Sequence, residues 1–483
     1  MGENAGDGTK PLENKRLVPF IVAVSLFMDN MDSTVIATSL PAIAADIGTS
    51  PLTLKLAVTS YLLSLAVFIP MSGWTADRFG ARTVFRAAIA VFVLGSIGCA
   101  MSSALWHFVL ARIVQGIGGA MMTPVGRLVL VRTIDRKDLV NAMAWVSIPA
   151  MIGPLLGPPL GGFITTFASW HWIFLINVPM GIVGIVLVTL YIDNIKAETL
   201  ERFDAPGMVL SGIAVAGLTF GLSILGFDIV PWPVVAGLIS AGLISLGFYL
   251  AYARRAPAPI IDFGLLKLPS FRASLTGGFM FRIGVGAMPF LLPLLLQVGF
   301  KLTPFQSGLI TFTSTMGALI VKGAAPWMLK RFGFRNLLIA NAILGGLSIA
   351  ACAAFSAATS FVIMILVLMI GGFFRSLQFT AVNALAYAEV PAARMSRATA
   401  LSAVGQQVSL ATGVAVGALT VEMVVRFHGQ AEIAASDFPL GFILVGLIAT
   451  TSALIFWRLP ADAGAEMANR LPAAGRASDP KGG

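Results

Sequence analysis

Asp77-Arg78-Phe79-Gly80-Ala81-Arg82 separates two long apolar runs, and 253 residues later the chain reads Lys330-Arg331-Phe332-Gly333-Phe334-Arg335. The same ungapped offset carries Ser50-Pro51 onto Thr303-Pro304 and Gly118-Gly119 onto Gly371-Gly372. One such match is chance. Three at one offset, at corresponding points between apolar runs, describe a duplicated unit. Parallel repeats of this size with a central site are a transporter architecture.

The composition around the repeat is that of a membrane protein. Of 483 residues, 57% are hydrophobic and 11% charged, against about 25% charged in soluble proteins. Fourteen apolar stretches reach spanning length: 17–41, 54–73, 83–102, 105–127, 140–166, 172–192, 206–226, 231–252, 272–298, 304–326, 335–356, 359–386, 398–425 and 438–458. The expected fold class is therefore an all-α polytopic membrane protein of 14 transmembrane helices. The net charge of +10 invites a nucleic-acid reading, but the basic residues fall in alternate loops. Arg78, Arg82, Arg86, Arg127, Arg132, Lys196, Arg254, Lys330, Arg331 and Arg394 all lie on one side, with few on the other, which places both termini in the cytoplasm. The offset joins the second stretch to the tenth and leaves two stretches between the repeats, a 6 + 2 + 6 layout. The units are a cytoplasmic tail at 1–16, a six-helix bundle at 17–192, a two-helix insertion with its flanking loops at 193–271, a second bundle at 272–458 and a disordered cytoplasmic tail at 459–483.

Other chemistries find no residues to carry them. Cys99 and Cys352 lie apart in apolar runs, and His107, His171 and His428 are scattered at segment ends, so neither a disulfide framework nor a metal site is expected. No nucleotide-binding loop and no nucleophile–base pair occurs, so the chain is not expected to be an enzyme or to be driven by ATP. The first apolar stretch is too long for a signal-peptide core.

Charges inside the spans are therefore the functional candidates, because a buried charge in hydrocarbon needs a partner, a cavity or a ligand. Phe27-Met-Asp29-Asn-Met-Asp32-Ser-Thr-Val-Ile-Ala-Thr-Ser-Leu-Pro41 puts two acids three residues apart on one side of the first helix. At ~1.5 Å per residue both sit near the bilayer midplane, and Arg112 in the fourth stretch lies at the depth of Asp32. Asp32, Asp29 and Arg112 are the proton-coupling candidates, Asp32 the stronger for the proton itself and Asp29 for a substrate-facing or gating charge, with a permanent structural ion pair as the alternative for Asp32 and Arg112. The repeat offset maps Asp29 onto Arg282, acid in one half against base in the other. Asp29, Arg282, Arg375, Gln115, Gln297, Asn383 and Gln406 are candidates to line a substrate cavity. Gly73, Asp77, Arg78, Gly80 and Arg82 form a candidate cytoplasmic gate, in which Asp77 can pair with an arginine and release it. In the fifth stretch Gly153, Gly157 and Gly161 recur every fourth residue as a smooth packing stripe, while Pro154, Pro158 and Pro159 bend the helix.

These motifs together resemble the major facilitator superfamily. Gly73 to Arg82 is similar to its loop signature between helices two and three. Arg112-x-x-Gln115-Gly116 resembles its embedded-arginine motif, and Gly153-x-x-x-Gly157-Pro158-x-x-Gly161-Gly162 its antiporter signature. Asp32 to Pro41 and Ser169-Trp-His-Trp-Ile-Phe-Leu-Ile-Asn-Val-Pro179 resemble hallmarks of the fourteen-helix drug:H+ antiporter branch, the EmrB/QacA subfamily, with His171 where that branch usually carries Arg. The resemblance implies the major facilitator fold and proton-coupled multidrug efflux of small lipophilic or cationic compounds by alternating access. It implies a monomer in the bacterial inner membrane that uses a proton gradient and no cofactor. Three deep basic residues against two acids keep an alternative cargo open, organic anions or metal chelates on the same fold.

Overall fold

The computed structural model describes residues 13–134, 136–194, 196, 202–224, 230–257, 259–391, 394–429, 432–460 and 462–464. The tails expected at 1–16 and 459–483 lie largely outside these residues. Among the described residues all regular structure is helical: α1 (Glu13–Asp46), α2 (Lys55–Phe68), α3 (Ser72–Phe79), α4 (Ala81–Ala100), α5 (Leu105–Thr133), α6 (Arg136–Phe167), α7 (Trp172–Leu175), α8 (Asn177–Tyr191), α9 (Ala205–Ile224), α10 (Trp232–Ala253), α11 (Pro269–Leu294), α12 (Pro304–Phe332), α13 (Phe334–Ala350), α14 (Phe361–Ala386), α15 (Met395–His428) and α16 (Pro439–Trp457). A 3-10 turn, Ile69–Met71, joins α2 to α3 in one rod. Twelve stretches among the described residues are long and apolar enough to cross a membrane, or thirteen if the two limbs of α12 count as one span. Those limbs bend by 59° between Val321 and Gly323. Pro326 explains the bend, because its ring displaces the carbonyl four residues earlier.

The duplicated sequence folds into duplicated packing. α1 lies on α5, α6 and α8, as α11 lies on α14, α15 and α16; α4 lies on α5 and α8, as α13 lies on α14 and α16. Gly80 and Gly333, related by the repeat, take positive φ values of 94° and 77° and turn α3 into α4 and α12 into α13. A side chain is strained at such a φ, which explains why glycine stands at both turns. The two sets of helices meet along α6 with α12 and α2 with α15, and α9 packs against both α2 and α15. Large apolar side chains such as Leu94, Leu110, Ile182, Phe248 and Leu447 point outward and exposed, as a hydrocarbon surround requires.

The end of the bundle opposite the basic loops is closed. Gln297 sits in a π-helical turn that continues α11, and its amide donates 2.8 Å to the backbone carbonyl of Thr38 on α1. The N–H of Phe305 donates 3.1 Å to the Thr166 hydroxyl, while the Phe305 ring packs edge-on to Phe163 and Phe167. Gly162 and Gly308 let α6 and α12 touch backbone to backbone here, against Phe305 and Pro159 respectively. Lys55 of α2 and Glu422 of α15 are also buried at this end.

Candidate functional site

Asp32 lies on the inner side of α1 and is 2% exposed. Its Oδ2 accepts 2.7 Å from Nη1 of Arg112, and both side chains are almost fully buried. The equal depths read along helices one and four thus become a direct ion pair between α1 and α5. Its Oδ1 accepts from the amides of Gln115 at 2.7 Å and Asn177 at 2.9 Å. Arg112 also donates to Oε1 of Gln115 at 2.6 Å, and the Ser96 hydroxyl accepts from Gln115 at 2.8 Å and Asn177 at 3.2 Å. A carboxylate so buried needs a cation and further donors together; α5 and α8 supply them, and Ser96 of α4 holds the two donor amides in place.

Asp29 is served differently. Its Oδ1 accepts 2.6 Å from the Tyr61 hydroxyl and its Oδ2 accepts 3.4 Å from the Thr123 hydroxyl. It is half-buried, and both its partners are neutral. The ring of Tyr61 lies under the Arg112 guanidinium, 4.2 Å from its carbon, so one aromatic side chain bridges the two acid sites. Among the described residues no hydrogen bond or ion pair joins Asp29 to Arg282. The pseudo-symmetric match between them is one of position, because each lies within its own half.

The glycine stripe of α6 supports this arrangement from behind. A Cβ at Gly153 would meet the Phe27 carbonyl at 3.0 Å, and one at Gly161 would meet the Val35 carbonyl at 2.5 Å. The stripe therefore presses on the backbone of α1 on either side of the acids, and Gly157 faces Thr34 just beyond Asp32. Pro158 leaves its carbonyl to accept from the Thr38 hydroxyl at 3.4 Å, and Gly162 faces across to α12. At the basic-loop end Asp77 pairs with Arg132 of α5, and Nη1 of Arg82 donates 3.5 Å to the Ile192 carbonyl. Arg78 is exposed, and a Cβ at Gly73 would meet open space. His171 stacks on Trp170 and hydrogen-bonds Ser169 at 2.7 Å, a local contact near Asp46.

Of the residues expected to line a cavity, Arg282 and Arg375 do line one, of about 260 Å³, between α11, α12 and α14. Asn383 accepts 2.9 Å from Arg282, and Gln406 lies half-buried on α15. Gln115 and Gln297 correct the expectation: the first is sealed in the Asp32 network and the second in the contact with Thr38. A glutamine in an apolar helix signals a polar partner, and sequence alone does not say whether that partner is protein or cargo. Tyr61, Thr123, Ser96, Asn177 and Gln378 escaped the sequence reading. Only Asn177 gave a signal, an amide inside the quoted stretch ending at Pro179.

A model of the Major Facilitator Superfamily matches residues 22–266 and 274–478. The "Putative multidrug resistance protein MdtD" of Salmonella heidelberg (strain SL476) is 37% identical over 454 residues, covering 93% of this chain and 96% of its own. Its namesake in Salmonella typhi gives the same identity and coverage. Among solved structures, a D-xylose–proton symporter superposes with a TM-score of 0.65 at 14% identity, over 92% of this chain and 98% of its own. A POT family transporter in complex with a thioalcohol-conjugated peptide gives 0.68 at 15%, over 90% and 94%. At these identities the two structures speak for the fold.

Proposed function

Because the chain belongs to the major facilitator superfamily, we propose that it is a proton-coupled efflux antiporter of small molecules, working by alternating access in the bacterial inner membrane. The proposal includes the EmrB/QacA layout of fourteen helices as 6 + 2 + 6, with α6, helical over 32 residues, as the remaining span. Both termini are then cytoplasmic, the closed end faces outward, and the chain works as a monomer. Multidrug export is supported by the name of its 37%-identical relatives.

One observation carries the proton step: two acids three residues apart have opposite surroundings. Asp32 accepts from a cation and two amides, so protonating it sacrifices a buried ion pair. Asp29 accepts only from hydroxyls, so protonating it sacrifices none. Asp29 is accordingly the group that loads and unloads the proton, and Tyr61 passes its state to the Arg112–Asp32 pair. That pair locks α1 to α5, and the gap between Asp29's two states biases how the halves rock. The membrane potential contributes about 2.3 kcal/mol per charge per 100 mV.

The test uses proteoliposomes holding the purified chain, with ethidium and naphthalene-1,5-disulfonate as probes and an imposed pH step as the only drive. The wild type moves at least one probe against its gradient, and Asp29→Asn moves it only downhill. Gradient-driven transport that persists in Asp29→Asn refutes the assignment. Transport in the wild type that ignores the pH step refutes proton coupling itself.

A further inference from the structure

The Asp29 cage has a counterpart in the second half with the charge reversed. The repeat offset carries Asp29 to Arg282, Tyr61 to Ser314, Gly119 to Gly372 and Thr123 to Ser376, and all four of the latter line the 260 Å³ cavity. In the first half the Tyr61 phenol fills the cage and binds the acid. In the second half the equivalent residue is a serine. Its hydroxyl accepts from Arg375, and open space remains in the cage.

The lining of that space is cationic and under-satisfied. Arg282 is 5% exposed, has Asn383 as its hydrogen-bond acceptor and lies 5.4 Å above the Phe379 ring. Among the described residues the ion pairs involve neither Arg282 nor Arg375, and no carboxylate lines the cavity. Gln378 is wholly buried in the same wall, and both its amide atoms lack a hydrogen-bond partner. Two guanidiniums held in a membrane without a counter-charge are costly unless an anion visits them. Most of the remaining wall is apolar, with Phe281, Val285 and Val382 beside the hydroxyl of Thr315.

We propose that this cavity is the cargo site and that the cargo is an organic anion. Its one or two acidic groups bind the forks of Arg282 and Arg375, Gln378 takes a further hydrogen bond, and its apolar body lies against Phe281 and Phe379. Planar, bidentate guanidinium contacts suit carboxylates, sulfonates and phosphates alike. The inference deepens the efflux reading by reversing the cargo charge that the family resemblance implies. Asp29 then serves the proton and Arg282 the cargo, at equivalent places in the two halves.

The experiment reads the cavity's charge without any proton gradient, so it stands or falls separately from proton coupling. In a Cys99→Ala, Cys352→Ala background, Val285→Cys and, independently, Thr315→Cys put a thiol in the lining. Each purified variant is labelled with an anionic sulfonatoethyl and a cationic trimethylammonioethyl methanethiosulfonate, with rates normalised to a free thiol. The expected result is a preference for the anionic reagent of about tenfold or more, the scale of field focusing in a cleft of one sign. Arg282→Gln shrinks the preference and Arg282→Gln with Arg375→Gln abolishes it. Naphthalene-1,5-disulfonate slows labelling and ethidium does not. A cationic preference at both positions overturns the proposal, as does a ratio unchanged in the double arginine variant. Protection by ethidium alone, or by neither compound, also counts against it.

Discussion

Replacing Arg112 by methionine removes the cation and keeps an apolar stem of similar length. Asp32 then loses the 2.7 Å donor on Oδ2, while Oδ1 keeps Gln115 and Asn177. Gln115 Oε1 loses its 2.6 Å donor as well, and Tyr61 loses the cation above its ring. With both members of the pair about 1% exposed, the remaining charge is uncompensated, which costs about 3–5 kcal/mol. For a bundle of this size that corresponds to a fall in melting temperature on the order of 10 °C. Both cysteines are buried, so a thiol-reactive fluorophore reports melting in lipid nanodiscs. Cys352, in the other half, separates global unfolding from local opening near Cys99. Adding Asp32→Asn to Arg112→Met should raise the midpoint again, because it removes the stranded charge. If Arg112→Met melts with the wild type, or if Asp32→Asn lowers it further, the pair does not hold α1 to α5.

Three further outcomes follow from other parts of the molecule. The Asp77–Arg132 pair is partly exposed (36% and 23%), so Asp77→Asn should cost under about 1 kcal/mol of stability yet slow transport. A melting shift as large as that of Arg112→Met would make Asp77 a structural residue instead. Gly80→Ala and Gly333→Ala should each destabilise by about 1–2 kcal/mol because of their positive φ, and Gly80→Ala by more, since Asn194 sits where the methyl would go. Equal melting of both variants and the wild type would refute the role of the two turns. A cysteine pair at Thr166 and Phe305, which already touch across the closed end, should cross-link, stop transport and recover on reduction. Full transport by the cross-linked protein would exclude opening at that end.

The apolar runs and the alternation of basic loops are chemical properties of the chain itself, so the helical membrane architecture and its duplication are legible in the amino-acid sequence alone. The depth of each charge is legible too, because depth follows from a fixed rise per residue. That is why Asp32 and Arg112 could be matched and are found 2.7 Å apart. Which helices are neighbours, and how each is rotated about its axis, depends on packing far along the chain. Only the tertiary structure could therefore give Asp29 its hydroxyl partners, draw Asn177 and Ser96 to Asp32 and seal Gln115 and Gln297 inside the protein. The same rotations set Ser314 opposite Arg375 and buried Gln378 in the cavity wall without a partner for its amide. A sequence position fixes how deep a polar group lies in the membrane; contact with a neighbouring helix decides whether that group is already satisfied or still open to a cargo.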